Sequence, residues 1–262
     1  MRWYKNIING KKDSTTTKNK DMEKFMEKCT LLIVDDNLKL ANDISKHINR
    51  EIGNFIKVIG VTNNGETAIE TIKNLKPNLV ILDLKMPKLN GLEVIEKVRN
   101  ESTIIMVITG EALMINEIKL ECSKNIKKIY IKPFPIDTMI NDLRNIVLEK
   151  DKLDIRKKIT KQLEIFEFNK KSIGYQYLVE SLMYTCQNSN FLNNMETNLF
   201  PLVAEKFKNK NGINIKWSIQ KAMKSMIRYT PTLEIKKIFF ETIPTVKIFI
   251  TTMTKMINDT LF

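Results

Sequence analysis

The sequence predicts two structural classes in succession: an α/β domain on a doubly wound, five-stranded parallel sheet, then an all-α domain containing a helix-turn-helix. Three observations carry this. Between residues 29 and 149, five short and almost wholly apolar runs alternate with amphipathic segments, the pattern of a parallel sheet covered on both faces. From 151 onward the strand patterning stops and helical periodicity takes over. The formal charge changes with it: residues 1–28 carry net +4, 29–150 net +1 and 151–262 net +8, within a total of +13. A basic body joined to a balanced one suits a polyanionic partner, most often nucleic acid.

The strand signals are LLIV at 31–34, IKVIGV at 56–61, NLVIL at 78–82, IIMVI at 104–108 and KIYI at 128–131. Helical patterns lie between and after them near 38–51, 66–75, 91–100, 113–123 and 136–149. Residues 150–157 read as a short linker. Beyond it, helices are predicted over about 153–167, 173–187, 195–208, 214–229, 233–241 and 245–259, a compact all-α domain filling 158–262. The lysine-, asparagine- and threonine-rich start, residues 1–28, lacks apolar periodicity and reads as a flexible basic arm.

Composition excludes several classes. The longest apolar stretches, such as Ile104–Ile108, fall far short of the ~20 residues that cross a bilayer, and no secretory leader is expected, so the chain reads as cytoplasmic. The three cysteines (Cys29, Cys122, Cys186) are widely spaced, as reduced thiols and not as a disulfide framework or zinc site. With the single histidine, His47, a histidine-based metal centre or a Ser-His-Asp site is excluded.

Ligands of doubly wound sheets gather at the carboxyl ends of the strands, so the residues there matter most. They are Asp35 and Asp36 after the first strand, Asp83 ending the third, Thr109 after the fourth and Lys132-Pro133 after the fifth. Three carboxylates at one sheet edge raise one another's pKa unless a cation neutralises them. A hard divalent ion with oxygen ligands, Mg²⁺ above all, answers that need. A lysine and a threonine beside one carboxylate then make a phosphoryl-acceptor site, where catalysis is mostly positioning and charge neutralisation. A phosphatase with an aspartate nucleophile would need Asp-x-Asp after its first strand. Here that strand ends Asp-Asp.

The sequence VDDN, then LDLKMPKLNG, VITG and IKPF, resembles the receiver domain of two-component response regulators, a flavodoxin-like fold. The resemblance implies that Asp83 accepts a phosphoryl group from a phosphohistidine protein, a kinase or phosphotransferase. It implies Mg²⁺ ligation by Asp35, Asp36, Asp83 and the backbone carbonyl of Lys85, and reading of the phosphoryl group by Thr109 and Lys132. Pro87 and Gly91 match the turn after the acceptor, where a small residue lets the backbone pass. One position departs: many receivers carry an aromatic three residues before the site lysine, and here Ile129 stands there, with Tyr130 next. Strand alternation points those two side chains to opposite faces.

In the C-terminal part, NLFPLVAEKFKNKNGINIKWSIQKAMKSMIRY has the form of a helix-turn-helix. Leu202, Val203 and Phe207 are predicted to pack against Ile215, Ile219, Ala222 and Met223 across a turn holding Asn211-Gly212. The second helix then presents Lys216, Trp217, Gln220, Lys221 and Lys224 outward, toward the phosphates and base edges of a major groove. The stretches IGYQYLVESL (173–182), LFPLVAEKF (199–207) and PTVKIF (244–249) resemble the effector domain of the sporulation stage-zero master regulators of endospore-forming bacteria. That family implies a phosphorylation-activated transcription regulator that binds double-stranded DNA, forms a homodimer on phosphorylation and contacts RNA polymerase. The helix that reads DNA is rich in Lys, Gln and Trp where the family leans on Arg. The alternative function is a protein-interaction regulator whose helical domain no longer binds DNA.

Overall fold

The computed structural model describes residues 28–118, 124–208, 213–229, 232–239 and 244–259. The basic arm expected at the start, save Lys28, and the turn at Asn211-Gly212 lie outside them. Contacts divide the chain into two compact units that meet between Leu148 and Glu149. Among the described residues, no helix is long and apolar enough to cross a membrane.

In the first unit, strands β1 (Cys29–Val34), β2 (Ile56–Thr62), β3 (Leu79–Asp83), β4 (Ile104–Thr109) and β5 (Ile126–Ile131) form one parallel sheet in the order β2-β1-β3-β4-β5. The order reverses direction between β1 and β3, which sit side by side, so a crevice is expected where their carboxyl ends diverge. Alternation along the strands builds two cores. Leu31, Ile33, Leu79, Ile81, Met106 and Ile108 face α1 (Leu38–Ile52) and the start of α4 (Ile136–Leu163). Leu32, Val34, Val80, Leu82, Ile105 and Val107 face α2 (Gly65–Leu75) and α3 (Gly91–Lys97). Asparagine side chains start three of these helices: Asn37, Asn64 and Asn90 accept from Leu40, Thr67 and Glu93 N–H, each satisfying a donor the helix leaves orphaned.

Three expectations for the helices are corrected. The helix expected over 113–123 is a 3₁₀ turn, Ala112–Glu117, before residues 119–123, which lie outside the described set. None of its residues is buried and Leu113 is 77% exposed, so no apolar face holds an α-helix there. The linker expected at 150–157 is helical: α4 runs unbroken to Leu163, so neither a break nor a new helix at 153 occurs, and the helix stops short of 167. The segment has no Gly or Pro, and the i,i+4 pair Lys150–Asp154 (2.9 Å) supports it.

The second unit holds α5 (Ile173–Gln187), α6 (Phe200–Lys206), α7 (Ile213–Tyr229), α8 (Thr232–Phe239) and α9 (Val246–Asp259). The third correction falls here. The single helix expected over 195–208 begins as a π turn, Met195–Leu199, and only then becomes α6. Pro201 has no N–H to donate to the carbonyl four residues back, and Phe200 N–H reaches Met195 O instead. Phe166, Phe168, Phe239 and Phe249 cluster in the core, Phe239 stacking on Phe249 at 5.1 Å. Val203, Ile215, Ile219, Ala222 and Met223 are buried together with Phe207 packed against them, as the helix-turn-helix pattern predicts; Leu202 is half-buried.

Candidate functional site

The strand ends bring the predicted acidic residues together. Asp35 follows β1 and Asp83 ends β3, adjacent strands in the sheet. Asp35, Asp36 and Asp83 each offer a carboxylate oxygen within 4.8 Å of the others. Asp35 and Asp83 are buried and Asp36 is exposed, so the cluster has a closed floor and an open rim. The backbone fixes the buried pair. Asn37 N–H donates to Asp35 Oδ1 (2.9 Å) and Lys85 N–H donates to Asp83 Oδ1 (3.2 Å).

Lys132, following β5, spans the two buried carboxylates: its Nζ donates to Asp83 Oδ2 at 2.6 Å and to Asp35 Oδ2 at 2.9 Å. Burial lifts the Asp83 pKa above the ordinary carboxylate value, with Lys132 opposing it. Burial also works against the charged form of Lys132, but hydrogen bonds to Asp83 and then Asp35 outweigh it and hold the ammonium above its usual value. Three carboxylates share one fixed cation, which leaves two negative charges uncompensated, and the all-oxygen donor set fits a hard divalent ion. Thr109 is fully buried at the end of β4, and its Oγ1 accepts from Glu111 N–H at 3.0 Å. Its carbonyl accepts from Lys132 N–H at 2.7 Å, so the threonine and the lysine are held in one backbone register.

Gly91 explains how the chain passes this site. A Cβ there would fall 2.3 Å from the carbonyl oxygen of Asp83 and 2.7 Å from Leu84 Cα, a clash with backbone that nothing flexible relieves. Ile129 and Tyr130 point to opposite faces as expected. Ile129 is 38% exposed, whereas Tyr130 is buried on the α1 side and donates to Asp142 Oδ2 at 2.6 Å. His47 lies on α1 beside Asp137 (3.4 Å) and Arg50, a surface contact outside the acidic cluster.

Sequence reasoning passed over Glu111, whose side chain meets Lys85 Nζ at 2.5 Å. Its one signal was its place two residues after Thr109.

In the second unit, all five residues predicted to face outward on α7, namely Lys216, Trp217, Gln220, Lys221 and Lys224, are exposed. Trp217 is 61% exposed, and Lys221 Nζ sits 5.3 Å from its ring centroid. The opposite face packs tightly on α5. A Cβ on Gly174 would lie 2.0 Å from Ser218 O, so only glycine lets the two helices approach this far. Also unforeseen is Glu180, a buried carboxylate on α5 that takes Arg156 Nη2 (2.8 Å) and Lys206 Nζ (2.5 Å). Arg156 belongs to α4 and Lys206 ends α6, so this carboxylate ties three helices of the unit around the helix-turn-helix. Buried charges persist where they are paired in this way.

Comparison with known proteins follows the same division. The Response regulator receiver domain family matches residues 31–144, and the family described as Sporulation initiation factor Spo0A C terminal matches 159–261. The nitrate/nitrite response regulator protein NarL of Escherichia coli K12 is 40% identical over 76 residues, covering 29% of this chain and 34% of that protein. The uncharacterised transcriptional regulatory protein YesN of Bacillus subtilis is 32% identical over 136 residues, covering 51% of this chain and 36% of its own. The chain therefore spans about a third of the length of these relatives. Among solved structures, the receiver domain of the Francisella response regulator 1452 (25% identical, TM-score 0.39) covers 47% of this chain and 98% of that one. A CheY-like receiver from Methanospirillum hungatei JF-1 (19% identical, TM-score 0.42) covers 48% and 98%. With a Response regulator receiver domain in its first unit and a Spo0A-type C-terminal domain in its second, the chain has the domain composition of a Spo0A-like response regulator.

Proposed function

We propose that the chain is a phosphorylation-activated DNA-binding transcription regulator of a phosphorelay, acting in the cytoplasm to control sporulation. The observation that carries the reading is the Lys132 ammonium shared between Asp83 and Asp35, with Thr109 buried at the neighbouring strand end. Asp83 is the phosphoacceptor. One of its carboxylate oxygens forms a bond to phosphorus as the phosphorus–nitrogen bond of a phosphohistidine breaks, and that electron pair returns to the donor's imidazole. Asp35, Asp36, Asp83 and the Lys85 carbonyl would hold Mg²⁺, which would supply positive charge beside the acceptor carboxylate. Lys132 exchanges part of its contact with Asp83 for a phosphoryl oxygen, and the Thr109 hydroxyl donates to another. The Glu111 N–H holds that hydroxyl oxygen in place meanwhile.

In the second unit, Lys216, Trp217, Gln220, Lys221 and Lys224 form the DNA-contacting face of α7. Phosphorylation pairs two copies of the chain, and bivalent binding to paired half-sites raises affinity through effective concentration without any new base contact. RNA polymerase is then the partner through which transcription responds.

Labelling with acetyl phosphate tests the acceptor. Asp83→Asn, nearly isosteric but not nucleophilic, should abolish labelling while leaving the fold intact, and chelation of divalent ions should suppress labelling of the parent. Undiminished labelling of Asp83→Asn would place the acceptor elsewhere.

A further inference from the structure

The basic face of α7 is not purely basic at its entry. Glu196 lies in the π turn Met195–Leu199 that leads into α6, and its exposed carboxylate meets Lys216 Nζ at 2.7 Å. Lys216 stands in the first turns of α7, and the N-terminal residues of a recognition helix are those that reach base edges. The hydrogen bond from Lys216, aided by the nearby Lys247 at the start of α9, holds the Glu196 carboxyl below its ordinary range, so it stays ionised at neutral pH. Trp217 and Lys221 continue the same exposed surface.

An ion pair this exposed, with Glu196 at 64% and Lys216 at 53%, contributes little to folding. Its larger effect falls on an approaching polyanion. Contacts with phosphate supply essentially all sequence-independent binding to DNA. At this site a phosphate must displace a carboxylate that already holds the lysine, and must also accept that carboxylate as a neighbour. Specificity is a difference of affinities, and a repulsive element is one way to widen it.

We propose, on the DNA-binding reading above, that Glu196 is a specificity-determining residue of the DNA surface: by occupying Lys216 it lowers the affinity for duplex engaged through phosphates alone. Its position carries the inference. It lies 20 residues from Lys216 in sequence yet in direct contact with it, on the surface that reads DNA and not in the core.

The test uses the full chain and a short duplex of random sequence, with affinity followed by fluorescence anisotropy across a salt series. The proteins are the parent, Glu196→Gln, Lys216→Gln and the double variant. Glu196→Gln should bind roughly two- to fivefold tighter, the range an exposed ion pair supplies. Its slope of log K against log [salt] should steepen by about 0.9, one more phosphate neutralised. In the Lys216→Gln background most of the gain should disappear. Melting temperatures should match the parent's, because the pair is exposed. Equal or weaker binding by Glu196→Gln, with the parent binding duplex in a salt-sensitive way, overturns this inference and leaves the DNA-binding reading intact. A gain that persists in full without Lys216 overturns the role given to that pair. If no variant binds duplex at all, the DNA-binding reading itself fails and this inference with it.

Discussion

The two units hold their charged residues in opposite ways. In the receiver they are drawn inward: Asp35 and Asp83 are buried, and Lys132 bridges them at 2.9 and 2.6 Å. In the helical unit the candidate contacts of α7 stand outside, while the buried charge, Glu180, ties helices together. A buried site can be altered only together with its scaffold, because removing one buried charge leaves its partner uncompensated. An exposed helix face can change residue by residue at little cost in stability. The Lys, Gln and Trp of α7 sit where such change is tolerated. The first unit's site is therefore constrained by geometry, and the second unit's candidate face by surface chemistry.

This contrast can be broken most sharply on α7. Reversing two charges, Lys216→Glu with Lys221→Glu, should lower duplex affinity by at least tenfold, since one good base contact alone is worth about 1–3 kcal/mol. Far-ultraviolet circular dichroism should be unchanged, as both side chains are exposed. If affinity holds, α7 is not the reading helix, and a protein-interaction role for the second unit gains ground.

Two glycines sharpen the comparison next. Gly91→Ala and Gly174→Ala each force a Cβ against backbone, at 2.3 Å from Asp83 O and 2.0 Å from Ser218 O respectively. Overpacking of this kind costs typically 1–3 kcal/mol. Each variant should lower the melting temperature, but Gly91→Ala should impair phosphoryl labelling with DNA binding spared, and Gly174→Ala the reverse. Urea denaturation alongside the two assays checks this. Loss of both functions in either variant would show that damage in one unit reaches the other.

The smallest effect concerns Asp151 on α4. Burial pushes its carboxyl up to about 6, and its buried Oδ2 has no hydrogen-bond partner among the described residues. A raised acid favours the fold while protonated and loses that contribution as it ionises, so parent stability should fall as pH rises from about 4 through about 6. Asp151→Asn should flatten the dependence in that window and melt a few degrees higher at neutral pH. Thermal melts across pH 4–7 that run parallel for the two proteins would count against it.

Much of the first unit was legible because its chemistry sits at strand ends. Apolar runs such as IIMVI locate the strands, and the residues that follow them, Asp35, Thr109 and Lys132, differ in kind from the runs they end. Sheet order then brings distant residues together without further information. The helical unit was legible as a set of faces: Ile215, Ile219 and Ala222 inward, Lys216 and Gln220 outward. What escaped were pairings across long separations. Glu180 with Lys206 and Glu196 with Lys216 lie 26 and 20 residues apart, and no local pattern distinguishes these glutamates from solvated ones. The unbroken α4 escaped for a different reason. Its stretch around 150–157 is polar enough to read as a linker, yet contains nothing that stops a helix.

On the proposed function, phosphate at Asp83 governs what the second unit does on DNA. The direct measurement is duplex affinity of the full chain, by anisotropy on genomic fragments recovered by footprinting, before and after treatment with acetyl phosphate and Mg²⁺, with Asp83→Asn alongside. Treatment should tighten binding by the parent and leave Asp83→Asn unchanged. Equal affinity before and after treatment in a parent shown to be labelled, or equal tightening in Asp83→Asn, would contradict it.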